Sequence, residues 1–139
     1  MIVEIRSITA QQTLDLRQRV LWPNKSRAEM HLPGDENALN FGAYQNEVLV
    51  GIGSFFRDPD AASVFRLRKM AVEPKLHGQG IARRLIFAAR TELKTKGATL
   101  IWCDARLSAA GFYQKCGFKI DTEVFQKSGM DYVKAHLTL

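Results

Sequence analysis

The run Lys69-Met70-Ala71-Val72-Glu73-Pro74-Lys75-Leu76-His77-Gly78-Gln79-Gly80-Ile81-Ala82 constrains this chain more than any other segment. A β-type run ends at Val72, and Pro74 stops it. Gly78 and Gly80 follow in a short loop. An amphipathic helix then begins at once, with Ile81, Leu85, Ala89 and Leu93 at three-to-four spacing. Two glycines at a strand-to-helix junction let backbone N–H groups turn toward one point with no Cβ in the way. The helix N-terminus adds unpaired N–H groups and a partial positive charge. Together these predict a phosphate cradle. It is not a P-loop, because Ile81-Ala82 stands where Lys-Ser/Thr would follow Gly80. It is not the dinucleotide fingerprint, which would need glycine at Arg83.

The remaining elements alternate around this junction. An N-terminal strand over 2–8 leads to Thr9, a good N-cap. Leu14, Leu16, Val20 and Leu21 then line a helix that Pro23 ends, with Arg17 and Arg19 expected on its wetter side. Segment 24–37 is polar, with a turn at Pro33-Gly34-Asp35 and a helical turn or two over 26–31. Strands follow over 39–44, 48–56 and 63–72, joined by turns. After the helix come a fifth strand over 99–103, a helix over 108–115, a strand from Phe118 and a last strand over 132–139. The expected fold is α/β: a mixed, mostly antiparallel sheet of six to seven strands with helices on both faces.

The chain has 139 residues, enough for one domain over 1–139 with a proper core. No apolar run approaches the roughly 18 residues of a membrane span. The N-terminus lacks a signal peptide's apolar core, so no membrane association and a cytoplasmic location are expected. Cys103 and Cys116 form no disulfide framework and read as small buried hydrophobes. His31, His77 and His136 have no metal-ligand spacing, so no metal is expected. The net charge of +6 admits nucleic-acid binding. The charges are scattered, however, with no basic tract. A polyanionic small ligand, or simply a basic surface, accounts for them as well.

The loop 77–82 resembles the acyl-CoA loop of the Gcn5-related N-acetyltransferases (GNAT), Arg/Gln-x-x-Gly-x-Gly/Ala, with His77 where the family usually has arginine or glutamine. Farther on, Ala109-Ala110-Gly111-Phe112-Tyr113-Gln114-Lys115-Cys116-Gly117-Phe118 resembles the family's late motif Ala-x-x-x-Tyr-x-x-x-Gly-Phe. Order and spacing agree, and the resemblance covers roughly residues 40–120. It implies a GNAT-like sheet whose strands four and five splay apart. It also implies acetyl-CoA as acyl donor, bound by the backbone of Met70, Ala71 and Val72 and by His77, Gly78, Gln79, Gly80, Ile81, Ala82 and Arg83. Tyr113 falls at the position assigned as general acid toward the CoA sulfur. From spacing alone Tyr113 reads rather as a core aromatic beside Phe112 and Phe118, and it is the motif that favours the functional role. Arg84 is a weaker phosphate candidate than Arg83. Arg106 stands where many relatives place an asparagine on pantetheine, which leaves that contact open.

The function implied is acetyl transfer from acetyl-CoA to a primary amine, expected to be a small molecule. The general base stays open among Glu29, His31, Asp35, Glu36, Asp104 and water. The alternative is a CoA-binding regulatory module without turnover. No nucleic-acid partner is expected, and a homodimer is admitted.

Overall fold

The computed structural model describes residues 2–139. Seven strands form a sheet in the order β1-β2-β3-β4-β5-β7-β6. They are β1 (Glu4–Ile8), β2 (Leu39–Gln45), β3 (Val48–Arg57), β4 (Val64–Val72), β5 (Leu100–Arg106), β6 (Lys119–Lys127) and β7 (Met130–Thr138). The helices are α1 (Ala10–Leu16), α2 (Ile81–Thr95) and α3 (Ala110–Lys115). Compact packing divides the chain into two units. One holds the chain up to Phe56 with Leu67–Glu92, and the other holds Arg57–Arg66 with Leu93–Leu139.

In the first unit, β1, β2 and β3 pair antiparallel. Neighbouring strand residues point to opposite faces, and β3 uses both. Ile52 packs with Leu16 of α1 and Ala71 of β4. A Cβ on Gly51 would instead meet Ile81 and Leu85 of α2 at 3.2 Å. Helices therefore cover both faces of this unit, and Gly51 lets α2 lie close to the strand. Ile81, Leu85, Ala89 and Leu93 are all buried, as their spacing predicts.

The first helix differs from expectation. Thr9 caps it through a reciprocal box with Gln12. From Arg17 to Leu21 it loosens into a π-turn, and Trp22 N–H reaches back to the Arg17 carbonyl at 3.3 Å. Arg17, expected on the wet side, is fully buried. A wider turn and a buried carboxylate, Asp35, draw it inward.

In the second unit β5 pairs parallel with β4 and antiparallel with β7. The parallel register covers Val64↔Leu100, Phe65↔Ile101 and Arg66↔Trp102. β5 runs three residues past the expected end at Cys103, because polar Asp104 and Arg106 alternate with buried Ala105. The helix expected over 108–115 begins as a 3₁₀ turn over Leu107–Ala109. Among the described residues, no helix is long and apolar enough to cross a membrane.

Candidate active site

In the first unit, the strand end and the loop adopt the conformation the glycines require. Gly78 (φ 81°) and Gly80 (φ 82°) are both left-handed. A Cβ built on either would meet nothing within 4 Å, so the space above the loop is open. The first α2 bond runs from Arg84 N–H to the Gly80 carbonyl (3.0 Å). The N–H groups of Ile81, Ala82 and Arg83 thus stand ahead of the helical ladder. Gln79 is exposed, and Arg83 lies 5.4 Å from the Phe87 ring centroid along the helix surface.

His77 is tied down. Its Nε2 lies 2.9 Å from the Val72 carbonyl, which fastens the loop to the end of β4. Met70 packs over Gly53, and Val72 over Gly51, so β3 glycines seat both side chains of the expected acyl-donor strand. One feature was not legible in the sequence. Lys69 sits in β4 at φ 58°, a left-handed conformation rare for a side-chain-bearing residue in a strand. It breaks the strand's regular pleat one residue before Met70. Glu73, next after the strand, pairs with Arg19 and donates its N–H to the Val50 carbonyl at 2.9 Å.

Several base candidates are already engaged. Burial pushes the Asp35 carboxyl up, but the Arg17 fork and the Leu32 N–H outweigh it and hold the group below its ordinary value. Glu29 accepts the Ser26 N–H at 2.9 Å, which also lowers its pKa. His31 and Glu36 are exposed. His31 follows Met30, whose carbonyl accepts from Arg17 at 2.9 Å, and Glu36 follows Asp35.

The second unit holds Tyr113. It is buried on α3, with ring centroids 5.1 Å from Phe112 and 5.2 Å from Phe118 in edge-on contacts. Its hydroxyl bonds to the Cys103 thiol, a partner the sequence did not announce. Burial first, then the neighbouring thiols, push the phenol well above its ordinary range. Burial and the nearby Asp104 charge push Cys103 up to about 12. Both groups therefore keep their protons at neutral pH. Cys103 and Cys116 are free and buried, as their setting in the sequence suggests. Asp104 lies within β5, where burial raises its pKa but bonds from Lys134 and Lys127 lower it further. Arg106 ends β5 in register with Tyr132.

The model of the family described as "Acetyltransferase (GNAT) domain" matches residues 5–139. A protein of Bacillus subtilis (strain 168) described as the uncharacterized N-acetyltransferase YitI is 30% identical over 135 residues, 93% of this chain and 91% of that protein. Two solved structures share the fold. The ribosomal-protein-S18-alanine N-acetyltransferase of Escherichia coli superposes with a TM-score of 0.76 at 22% identity, covering 99% of this chain and 94% of that one. A GNAT family acetyltransferase of Elizabethkingia anophelis with acetyl-CoA bound superposes at 0.73 and 21% identity, covering 99% and 98%. With the family model spanning nearly the whole chain and the left-handed glycine loop at its expected place, this protein belongs to the GNAT acetyltransferase family.

Proposed function

We propose that this chain transfers the acetyl group of acetyl-CoA to the primary amine of a small molecule. The observation that carries the reading is the open cradle: two left-handed glycines with free space above them, at the head of α2. In this reading the N–H groups from Gly80 to Arg83 take the pyrophosphate, with Gly78 and Gln79 shaping the approach. The backbone of Met70, Ala71 and Val72 runs along the pantetheine. His77 acts by holding the loop to Val72 rather than by reaching phosphate itself. The acetyl-CoA bound to the Elizabethkingia relative supports the choice of donor. Two free, buried cysteines suit a reducing compartment, and a cytoplasmic location belongs to the same proposal.

The amine nitrogen attacks the thioester carbonyl carbon. The tetrahedral intermediate then collapses, the C–S bond breaks, and the electron pair leaves on sulfur. The nitrogen gives up one proton and the sulfur gains one. An ordinary phenol near pKa ~10 facing a thiol near ~8.5 costs about 2 kcal/mol for full proton transfer. Burial of Tyr113 raises that cost. In this reading the Tyr113 hydroxyl gives up its bond to Cys103 and turns to the departing thiolate as a hydrogen-bond donor, and solvent completes the proton transfer. With Asp35, Glu29 and Asp104 held by partners, the amine proton goes to His31, Glu36 or water. A screen of primary amines with acetyl-CoA, read by free thiol release, tests the reading. Stabilisation by acetyl-CoA without thiol release from any amine would favour a regulatory CoA-binding module. Absence of stabilisation would overturn the donor assignment.

A further inference from the structure

Within the first unit, β4 carries one residue too many. In a regular strand Leu67 and Met70, three positions apart, would point to opposite faces. Both instead reach the same spot: a Cβ on Gly53 would meet Met70 Cε at 3.0 Å and Leu67 Cδ1 at 3.7 Å. The extra residue is Lys69, at φ 58°. The result is a β-bulge that turns two neighbours the same way. Arg68 and Lys69 both leave the face of Leu67 and Met70 for the opposite one, where Ala71 packs with Leu16 and Ile52.

The surroundings of the two side chains agree. The Arg68 guanidinium lies 5.9 Å from the Phe56 ring centroid. Lys69 Nζ lies 5.8 Å from the centroid of Trp22, the residue after the π-turn. Lys25 Nζ lies 4.5 Å from the same ring. Three cations thus gather over two aromatic rings. The carboxylates of the neighbouring segments are answered elsewhere: Asp35 by Arg17, Glu73 by Arg19 and Glu29 by Ser26. The turn itself does not call for lysine, because glycine or asparagine takes this conformation at less cost. Strain of this kind is kept where the side chain it presents is needed.

The bulge also lies at a telling place along the strand. β4 runs toward the cradle, with Val72 at its end and Gly78 and Gly80 just beyond. In acetyl-CoA the pantetheine arm separates the pyrophosphate from the thioester. With the pyrophosphate at Gly80 to Arg83 and the arm along Val72 to Met70, the thioester comes to the Met70 end, beside Lys69. The face of Met70 and Val72 is filled by their contacts with Gly53 and Gly51 and by Ile81 and Leu85 of α2. The acceptor therefore approaches from the side of Arg68 and Lys69, which are half-buried.

We propose that Lys69 and Arg68 hold an anionic group of the acceptor, a carboxylate or a phosphate, beside the Trp22 ring, so that the amine acetylated belongs to a small acidic molecule. The proposal rests on the acetyl-transfer reading above. Charge-assisted bonds to such an anion are the strong ones. Anchoring it one residue from Met70 leaves the amine of the same molecule to meet the thioester, which supplies alignment. The indole offers an apolar platform for the carbon skeleton. A diamine would meet like charge here.

Two measurements test the proposal. Trp102→Phe leaves Trp22 as the single tryptophan, since the chain has two. Titrated at low salt, 4-aminobutyrate is expected to change Trp22 fluorescence saturably, and 1,3-diaminopropane is not. Lys69→Asn removes the ammonium but tolerates the left-handed backbone, so the bulge survives. It is expected to weaken 4-aminobutyrate at least tenfold, with Lys69→Gly as a second variant. In the thiol-release assay 4-aminobutyrate and 3-aminopropyl phosphate are compared with 4-aminobutanamide. At least one of the two anions is expected to show a KM at least tenfold below that of the amide, and the lower value identifies the anion. Lys69→Asn should erase the difference with the acetyl-CoA Kd unchanged, and Lys69→Arg should retain it. Equal KM values for anions and amide, a preference that survives both Lys69→Asn and Lys69→Gly, or no saturable response at Trp22 would overturn the subsite. If acetyl-CoA neither binds nor turns over, the acetyltransferase reading fails instead, and the Trp22 titration still decides whether the subsite exists.

Discussion

Arg17 and Asp35 meet fork to fork inside the first unit, with contacts of 2.8 and 2.9 Å, and both side chains are buried. Arg17 also donates to the Met30 carbonyl at 2.9 Å and to Ser54 Oγ at 3.0 Å. Asp35 accepts the Leu32 N–H at 2.8 Å, and the Ser54 hydroxyl donates to Asn40 Oδ1 at 2.6 Å. One buried guanidinium thus orders the polar segment that carries His31 and Glu36.

Removing one partner leaves the other charged and buried. Asp35→Ala is expected to cost roughly 3–5 kcal/mol. The double replacement Arg17→Met with Asp35→Leu should recover most of that loss, because similar volume is restored without a charge. Urea denaturation at neutral pH checks both. A double mutant as unstable as Asp35→Ala would mean that the segment needs the polar network itself.

The same pair predicts a pH dependence. The folded Asp35 pKa lies below its unfolded value of about 3.9. Its contribution is therefore fully present above the unfolded pKa and is lost as pH falls through the folded one. The stability gap between wild type and Asp35→Ala should be constant from pH 7 to about 5 and shrink below about 4. A gap that stays constant down to pH 2 would contradict the depressed value.

Acetyl-CoA at a hundred times its Kd should stabilise the fold by about 2.7 kcal/mol, seen as a rise in Tm, with ATP and NAD doing clearly less. Gly80→Asp should abolish that rise while the protein stays folded by circular dichroism. It puts a carboxylate and a Cβ into a cradle that now has nothing within 4 Å. Gly97→Asp is the control. Gly97 has φ 85° and equally open surroundings, but caps the far end of α2. It should lose stability through the same backbone strain and keep the acetyl-CoA response. An unchanged response in Gly80→Asp would place the cradle elsewhere.

Tyr113→Phe should keep acetyl-CoA affinity and lower kcat and kcat/KM together by roughly 10²-fold. The ring contacts with Phe112 and Phe118 survive the change, and losing the bond to Cys103 should cost only about 1 kcal/mol. Single-turnover rates separate chemistry from product release. A large stability loss without a kinetic effect would make Tyr113 a core aromatic.

Most of the strand and helix order was legible because it rests on local signals: β-type runs, the Thr9 cap, and glycines that must take positive φ. Even the seat of the cradle is local, since Gly78, Gly80 and the first turn of α2 lie within a few residues of each other. What depends on distant partners was not legible. Arg17 reads as a solvated arginine until Asp35, eighteen positions on, turns out to lie against it. Asp35 and Asp104 read as free bases until their cations are placed.

The sequence alone therefore determined the family, the sheet-and-helix order and the left-handed glycine loop ahead of α2, because periodicity and backbone conformational limits act over a few residues. Only the tertiary structure decided which charges are engaged, that the Tyr113 hydroxyl meets Cys103, and that Arg68 and Lys69 share one face. Those facts come from strand register between segments far apart in the chain. A shift of one residue in that register would turn each of these side chains to the opposite face.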